Sequence, residues 1–408
     1  MTSADIIIIG SGIAGLYAAF KIKQNEPNKS ILILEKYKKQ WIGGRASNDT
    51  FYGTEVVTGA GIGRKHKDKL LLELLNDVGF KSPVEFTINP DKSHLSNQTD
   101  IKKTMALLKR KFDKNATHSQ TFKQYAKGVL GTKEYQNFIT ATGYTDYENE
   151  DAYETLYYYG MEDNTCCWQA FRVEWKNLIM KLYHLIGEKN FKFSKKVIQI
   201  DRDEPSILSV VVEDGSKYTC NKLIIATTID ATRKLLPHYP IYKDIEGQPF
   251  LRLYAKFTKK SADILREHIN RFTFVEGPLQ RIIPMDVDKG VYMIAYNDND
   301  NATTLKHHLE NNEQNRRLYE MLLEDSLGIP RDTLKIIGIK AYYWPIGTHY
   351  YKPLNNQLYA SRKEFMKKAQ HPEKDILVIG EAVSRNQGWT EGALESVETI
   401  FVSNDIVL

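Results

Sequence analysis

The chain opens with an apolar run that predicts a strand buried on both faces. Residues Ile6 to Ile9 are all isoleucine, and an unbroken branched run of this length is typical of a parallel sheet. Apolar residues then recur with helical spacing from Leu16 to Lys23, and Ile31 to Leu34 predicts a second strand. The order of strand, helix and strand predicts a βαβ unit at the start of the chain.

Glycines occupy the turn between the first strand and the first helix. The turn reads Gly10-Ser11-Gly12-Ile13-Ala14-Gly15, and an acid, Glu35, follows the second strand. Together these residues match the dinucleotide-binding fingerprint, in which the glycines allow a tight turn and a close phosphate, and the acid accepts hydrogen bonds from a ribose. The free N–H groups of the helix N-terminus favour an anion. The expected cofactor-binding residues here are Gly10, Gly12, Ile13, Ala14, Gly15, Glu35 and Lys36.

Further along the chain the hydrophobic pattern changes repeatedly between helix and strand. Helices are predicted over 101–112, 175–186 and 313–327, and strands over 250–257, 291–296, 334–343 and 376–379. Residues 196–228 predict a strand and a hairpin, with Asp214-Gly215 at a turn whose sequence favours type I′. The fold class expected from this order is α/β, with a Rossmann-type domain and an inserted region that contains helices and a mixed sheet.

Composition excludes several classes of protein. The 408 residues are 42% hydrophobic and 26% charged, which is ordinary for a globular protein, and the net charge of +5 is spread too evenly to indicate nucleic-acid binding. Three cysteines provide neither a disulfide framework nor metal-ligand spacing, so no metal is expected. No apolar stretch is long enough to span a bilayer, and the first strand begins within five residues of the start. We therefore expect no signal peptide, no membrane partner and a reducing, cytoplasmic setting.

A second pair of glycines follows Glu35, in Gly43-Gly44-Arg45. Two glycines let the backbone pass close to a phosphate, which an arginine can neutralise with two hydrogen bonds. NAD dehydrogenases lack this pair. With it, the N-terminal segment resembles the flavin-containing amine oxidoreductase family, which includes monoamine oxidases, polyamine oxidases and L-amino-acid oxidases.

The C-terminal segment is similar to the same family. A buried strand ends in Gly380-Glu381, and Gln387-Gly388-Trp389-Thr390-Glu391-Gly392-Ala393-Leu394-Glu395-Ser396 follows. The resemblance implies FAD, with a helix N-terminus directed at the N1–C2=O edge of the flavin, where reduced flavin carries negative charge. It also implies an internal FAD segment around Val197 and Ala226. The cofactor residues implied in this way are Gly43, Gly44, Arg45, Gly61, Ile62, Val197, Ala226, Gly380, Glu381, Gly388, Trp389, Thr390 and Ala393.

The resemblance also implies a discontinuous domain organisation. The FAD-binding domain is expected to comprise residues 1–85, 190–240 and 355–408. A helical insertion, 86–189, and a sheet-containing region, 241–354, are expected to form the substrate domain. Such an insertion would cover the flavin and form the wall of a substrate cavity.

The activity implied is oxidation of an amine or L-amino acid by hydride transfer from its Cα to flavin N5, with O2 as the expected acceptor. Family members flank the amine with two aromatic side chains, and Trp389 matches one of them. We expect Tyr350 to be the other, with Trp344 as second choice. Arg252, or in an alternative register Lys256, matches the lysine that many members have beneath flavin N5. With Arg252 at that position, oxidase and dehydrogenase both stay open. Residues 342–351 lack the cysteine that monoamine oxidases bond to flavin, so noncovalent FAD is expected.

The sequence says less about the identity of the substrate than about the cofactor. Arg64 could hold the carboxylate of an amino acid, and His349 is a further candidate at the substrate site. Three alternatives remain: a desaturase or protoporphyrinogen-oxidase-like enzyme acting on a hydrophobic substrate, a flavin-dependent sugar mutase, and a flavin-binding regulatory protein. A mutase would need arginines for a diphosphate, and Arg172, Arg252 and Arg281 could serve.

Overall fold

A computed structural model describes residues 2–113 and 119–402. Parts of two predicted units therefore lie outside the described residues: 114–118 of the helical insertion, and residue 1 and 403–408 of the FAD-binding domain. The strands are β1 (Thr2–Ile9), β2 (Ile31–Leu34), β3 (Asn48–Phe51), β4 (Thr54–Val57), β5 (Gly63–Arg64), β6 (Glu85–Ile88), β7 (Asp91–His94), β8 (Trp168–Phe171), β9 (Phe191–Lys192), β10 (Val197–Glu204), β11 (Ile207–Val212), β12 (Lys217–Ile225), β13 (Ile245–Phe257), β14 (Thr273–Val275), β15 (Arg281–Asp286), β16 (Val291–Asp298), β17 (Ile336–Tyr351) and β18 (Ile376–Val378).

Most of the helices lie between these strands in the chain. They are α1 (Ile13–Asn25), α2 (Lys69–Asp77), α3 (Ile101–Lys111), α4 (Phe122–Leu130), α5 (Thr132–Thr142), α6 (Ala152–Glu154), α7 (Trp175–Ile186), α8 (Ile229–Leu235), α9 (Lys259–His268), α10 (Asn299–Leu305), α11 (Glu313–Leu327), α12 (Arg362–Gln370) and α13 (Thr390–Val402). The expected α/β class is therefore correct, as are the helices predicted over 101–112, 175–186 and 313–327.

The first sheet has the order β10-β11-β12-β1-β2-β9, and β18 pairs with the second half of β12. Strand β1 lies parallel to both β2 and β12. Its isoleucines alternate between two cores. Ile6 and Ile8 pack against α1, α7 and α13. Ile7 and Ile9 pack towards β11, α8 and α12. Helices on both faces explain why the run is uninterrupted by polar residues.

The second sheet has the order β17-β13-β16-β15-β14-β7 and is antiparallel except at the β7–β14 edge. The pairing of its two longest strands, β13 and the edge strand β17, contains an irregularity where Gln248 pairs with Thr348 but Phe250 pairs with Trp344. Helices α9 and α11 cover one face of this sheet with a separate core. Helices α3, α4 and α5 form another core together with Leu156 and Met161, which follow α6. Two small sheets, β3-β4 and β5-β8-β6, complete the fold.

The first sheet takes its strands from three separate parts of the chain, 2–34, 191–225 and 376–378. The domain boundaries at 85, 190, 240 and 355 stay a prediction. No helix among residues 2–113 and 119–402 is both long enough and apolar enough to cross a membrane. The hairpin turn at Asp214-Gly215 is not type I′, because Gly215 has a φ of +85° while Asp214 stays outside the left-handed region.

A buried ion pair joins three parts of the molecule. Arg362, at the start of α12, donates from Nη2 to Asp151 Oδ2 at 3.0 Å and to the carbonyl oxygen of Lys352 at 2.7 Å. The same Asp151 oxygen accepts from the amide of Leu354, and its other oxygen accepts from the amide of Tyr153 at the start of α6. Arg362 and Asp151 are only 3% and 2% exposed, so neither charge is compensated by water.

Replacement of Arg362 by methionine is expected to destabilise the protein by about 3 kcal/mol, because it leaves the Asp151 carboxylate buried without a cation. Thermal and urea denaturation followed by circular dichroism measure the change. Lys363→Met, at the exposed neighbouring position, is the control and should leave the midpoint unchanged. Equal midpoints for the two variants would contradict this account of the ion pair.

Candidate active site

The glycine turn after β1 lies at the carboxyl edge of the first sheet. Gly10 has a φ of +106°, and a Cβ there would lie 2.5 Å from the carbonyl oxygen of Ala226, the residue after β12. A Cβ on Gly15 would lie 2.2 Å from the Gly10 carbonyl oxygen. These two glycines are therefore required by the packing of strand and helix, before any ligand is considered.

A second group of glycines has open space at the Cβ position. Gly44 and Gly380 have φ values of +57° and +120°, which favour glycine, whereas neither packing nor backbone conformation requires a glycine at Gly12. A Cβ built on Gly12, Gly44 or Gly380 would meet no atom within 4 Å, although all three residues are partly buried. Gly12 forms a bridge with Gly43, whose amide donates to the Ser11 carbonyl oxygen at 2.9 Å. The open space lies over the backbone of two adjacent glycine turns, which is the shape that a phosphate chain needs.

Glu35 lies at the same edge of the sheet. Its Oε2 accepts from the amide and the hydroxyl of Ser11 at 2.9 and 2.8 Å, and its Oε1 accepts from the amide of Tyr37 at 2.9 Å. The carboxylate is thus held beside the glycine turn. Lys36 is exposed, with its ammonium group over the Tyr37 ring, while Val197 is partly buried at the start of β10.

Arg45 and His349 both contact the carboxylate of Glu381. Arg45 donates from Nη1 to Glu381 Oε1 at 3.0 Å and to the Gly347 carbonyl oxygen at 2.6 Å. His349 Nδ1 lies 2.5 Å from the same oxygen, and its Nε2 accepts from the amide of Ile229 at 3.1 Å. Because an amide can only donate, Nε2 carries no proton, so a neutral His349 donates from Nδ1.

This network controls the charge of Glu381. Burial alone would raise the pKa of the carboxyl, but the hydrogen bond from His349, the charge of Arg45 and the amide of Gly388 together lower the pKa below its usual range. Glu381 is therefore ionised at neutral pH. It joins the strand β17 to the turn before α13.

Trp389 and Arg64 are both fixed by one buried carboxylate, Asp68. The Trp389 indole donates from Nε1 to Asp68 Oδ2 at 2.9 Å, and the Arg64 guanidinium donates to Asp68 Oδ1 at 2.7 Å. The Arg64 guanidinium also lies 4.1 Å from the centroid of the Trp389 ring. Helix α13 begins at Thr390, as the resemblance implies, and Ala393 is buried in its core-facing side.

Glu391 contacts the same region from the first turn of α13. Its two carboxylate oxygens accept from the amides of Leu70 and Leu71, at the N-terminus of α2, at 2.8 and 3.1 Å. Burial raises the pKa of Glu391 to about 7 in spite of these two hydrogen bonds. The ends of α2 and α13 are thereby joined next to Trp389.

Arg252 lies on β13, only 4% exposed. Its Nε donates to the Gly59 carbonyl oxygen at 2.8 Å, and a Cβ on Gly61 would lie 2.9 Å from its Nη2. The guanidinium carbon is 4.2 Å from the centroid of the Tyr296 ring. Arg252 is thus next to the segment that contains Gly61 and Ile62, both of them partly buried.

The two aromatic candidates on β17 have different surroundings. Trp344 donates from Nε1 to the Thr58 carbonyl oxygen at 2.8 Å, beside the segment that contacts Arg45. Tyr350 pairs with Glu246 and lies on the opposite face of the strand from His349, because neighbouring strand residues alternate. Burial raises the pKa of Tyr350, and Glu246 adds to the shift.

The three arginines considered for a diphosphate are not gathered in one place. Arg172 is exposed and paired with Glu55 at 2.6 Å, whereas Arg252 and Arg281 both lie against the Tyr296 ring. The described residues contain no cluster of three or more side chains suited to a metal ion.

The sequence alone does not single out Asp68. It is a single polar residue with no motif around it, and only tertiary contact distinguishes it. Asp68 lies 321 residues from its partner Trp389 in the chain. The position of Asp68 just before the start of α2 was the one available signal, since acids are favoured there.

Comparison with known proteins supports the fold. Residues 8–78 match the family model described as NAD(P)-binding Rossmann-like domain. An uncharacterized protein of Acanthamoeba polyphaga mimivirus is 38% identical over 53 residues, and that match spans 13% of this chain and 10% of the viral protein. Among solved structures, a cofactor-binding redesign of putrescine oxidase with an alanine-to-cysteine substitution has a TM-score of 0.75 at 12% identity, covering 99% of both chains.

Wild-type putrescine oxidase bound to putrescine is similarly related, with a TM-score of 0.74 at 13% identity over 98% of this chain and 99% of that one. Similarity at this level of identity concerns the fold. Residues 8–78 are therefore similar to a Rossmann-like domain, and the chain has the fold of putrescine oxidase along essentially its whole length.

Proposed function

We propose that the chain binds FAD noncovalently and oxidises an amine, removing hydride from the carbon next to nitrogen to give an imine that water hydrolyses. One observation carries the proposal. Three partly buried glycines, Gly12, Gly44 and Gly380, have open space where a Cβ would stand, and the carboxylate of Glu35 is bonded to Ser11 next to the first of them. Free backbone facing such a space suits a dinucleotide, and the flavin is implied by the resemblance in the second glycine pair and the C-terminal segment.

The residues around this space fit the parts of FAD. Glu35 would accept hydrogen bonds from the ribose, and the amides from Gly12 to Ala14 would bind the pyrophosphate at the N-terminus of α1. Arg45, beside Gly44, would add positive charge. The N-terminus of α13 at Thr390 would stabilise negative charge on the reduced ring, with Val197 and Ala226 near the nucleotide.

When bound, the flavin supplies the electron acceptor, and the protein must orient the amine and exclude water. Trp389 is suited to this role because Asp68 fixes its indole through Nε1 and Arg64 stacks against its face. A rigid aromatic wall orients a neutral amine and lowers its pKa by desolvation. As the second wall we favour Trp344 over Tyr350, because Trp344 adjoins the backbone that also contacts Arg45.

Arg64 is less suited to holding the carboxylate of an amino acid. Its guanidinium makes a close ion pair with Asp68, which is fully buried, so its charge is already balanced. We therefore propose that Arg64 positions Trp389. The resemblance places Arg252 where many family members have a lysine beneath flavin N5. We propose O2 as the electron acceptor.

The alternative activities make different demands on the flavin. A sugar mutase needs a reduced flavin and a nucleotide sugar, whereas an amine oxidase is bleached by an amine alone. A desaturase would be bleached only by a hydrophobic substrate without an amine. Anaerobic absorption spectra with a panel of amines, amino acids and polyamines distinguish these cases.

Replacement of Gly12 by alanine is expected to abolish retention of FAD while the fold is kept, because the added methyl group meets no protein atom and would occupy the space proposed for phosphate. The ratio of absorbance at the flavin band to that of the protein measures the loss. Gly128→Ala is the matched control, since its Cβ also meets nothing within 4 Å but lies on the distant helix α4. Full flavin content in Gly12→Ala would argue against the proposed phosphate position.

Replacement of Trp389 by alanine is expected to slow anaerobic bleaching by a primary amine about a hundredfold while flavin is retained, since a misplaced amine loses its reactive geometry. Stopped-flow absorbance measures the rate. Trp389→Phe keeps an aromatic wall but loses the bond to Asp68, so an intermediate rate is expected. Wild-type rates in both variants would remove Trp389 from the substrate site.

A further inference from the structure

Two adjacent cysteines lie in the loop that precedes β8. Cys166 and Cys167 are both exposed, so both thiols can meet a dissolved reagent. The third cysteine, Cys220, is buried within β12, and burial raises the pKa of its thiol to about 12. Because the thiolate is the reactive form of cysteine, the two exposed thiols are the ones able to react at neutral pH.

The backbone of this loop is held in an uncommon conformation. Cys167 has a φ of +72°, in the left-handed region that residues with a side chain rarely adopt. Its amide donates to the Ile88 carbonyl oxygen at 2.8 Å, and Ile88 pairs with Trp168 at the start of β8. The pairing of β6 with β8 therefore fixes the strained backbone of Cys167, and strain of this kind is found more often at functional positions.

The two thiols are in contact with each other. The pKa of Cys167 is raised, chiefly by a hydrogen bond between its side chain and that of Cys166. Burial adds to the shift, and the charge of Lys102 opposes it. Cys167 therefore keeps its proton and donates to the sulfur of Cys166, which is the arrangement that stabilises a thiolate at Cys166.

A lysine ammonium group lies on the other side of Cys166. Lys92 donates from Nζ to the carbonyl oxygen of Ala141 at 2.7 Å and to that of Asn164, two residues before Cys166, at 3.4 Å. Burial lowers the pKa of Lys92, and the negative charge of a Cys166 thiolate acts in the opposite direction. Since a neighbouring cation favours the thiolate, Cys166 is the nucleophile of the pair.

From this arrangement we propose that Cys166 and Cys167 form a dithiol that reacts with hydrogen peroxide and closes reversibly to a disulfide between neighbouring residues. The Cys166 thiolate attacks one oxygen of the peroxide, the O–O bond breaks, and hydroxide leaves and takes up a proton as water. The Cys167 sulfur then attacks the sulfenic acid at Cys166, loses its proton and displaces the hydroxyl group as water. Two thiols and one hydrogen peroxide thus become one disulfide and two waters, with sulfur oxidised and the peroxide reduced.

The short distance between adjacent residues makes this disulfide easy to reverse. Consecutive Cα atoms are about 3.8 Å apart, which is less than the separation that most disulfides adopt. Strained and exposed disulfides are more oxidising than structural ones, so a small thiol would reduce this one again. The dithiol reacts without flavin and goes beyond the amine oxidation proposed above. Transfer of flavin electrons to O2, if it takes place, would supply hydrogen peroxide from the same chain.

The test treats the full chain with hydrogen peroxide, alkylates the remaining thiols with N-ethylmaleimide in denaturant, and measures the mass of the intact chain and of the peptide that contains both cysteines. Untreated protein should carry three adducts, one for each cysteine. Oxidised protein should carry a single adduct, on the buried Cys220, with two hydrogen atoms lost at Cys166 and Cys167, and dithiothreitol should restore all three adducts. Three adducts after peroxide, a disulfide between two chains, or oxygen added to both sulfurs in place of the disulfide would each overturn the proposal.

Two matched serine variants separate the roles of the two sulfurs, and circular dichroism checks that both keep the fold. In Cys167→Ser no neighbouring thiol can displace the sulfenic acid at Cys166, so its capture by dimedone should rise about tenfold over wild type. In Cys166→Ser the remaining thiol is the one farther from Lys92, so it should react with peroxide about tenfold more slowly than the thiol of Cys167→Ser. Equal dimedone capture in wild type and Cys167→Ser would contradict the pairing of the thiols. Equal peroxide rates in the two variants would contradict the assignment of Cys166 as the nucleophile.

Discussion

The parallel pairing of β1 between β2 and β12 is the constraint on which the site depends. Parallel strands end at the same edge of a sheet, so the residues that follow them meet there although they are far apart in the chain. The glycine turn follows β1, Glu35 follows β2 and Ala226 follows β12. Strand β18 extends the same edge and brings Gly380 and Glu381 to it. A slip of one residue in β1 would exchange the two isoleucine faces and separate these groups.

Buried charges then connect this edge to the second sheet. Glu381 contacts Arg45 from the first part of the chain and His349 from β17, and Asp68 contacts both Arg64 and Trp389. Each of these carboxylates accepts several hydrogen bonds, which compensate for its loss of hydration.

Much of the fold could be predicted from local pattern. Strand β2 and helices α7 and α11 have the predicted bounds because apolar periodicity and a clear stop signal coincide there. The turn at Asp214 was predicted wrongly: Asp214 bonds to the amide of Ser216 and to Lys195, which favours a different turn. Strand β17 continues to Tyr351, beyond its predicted end at residue 343. Pro345 and Gly347 argue against a strand there, but both are accommodated at the irregularity opposite β13. Asp68 could not be predicted, because its role arises from a contact with a residue distant in the chain.

The central claim is that the open space above the glycine turns holds FAD. The most direct measurement is to purify the full chain, incubate it with excess FAD, remove the unbound cofactor and record the visible spectrum before and after denaturation. The account predicts a yellow protein with one FAD per chain that is released intact on denaturation. A colourless protein after this treatment, or flavin that stays attached to the denatured chain, would contradict it.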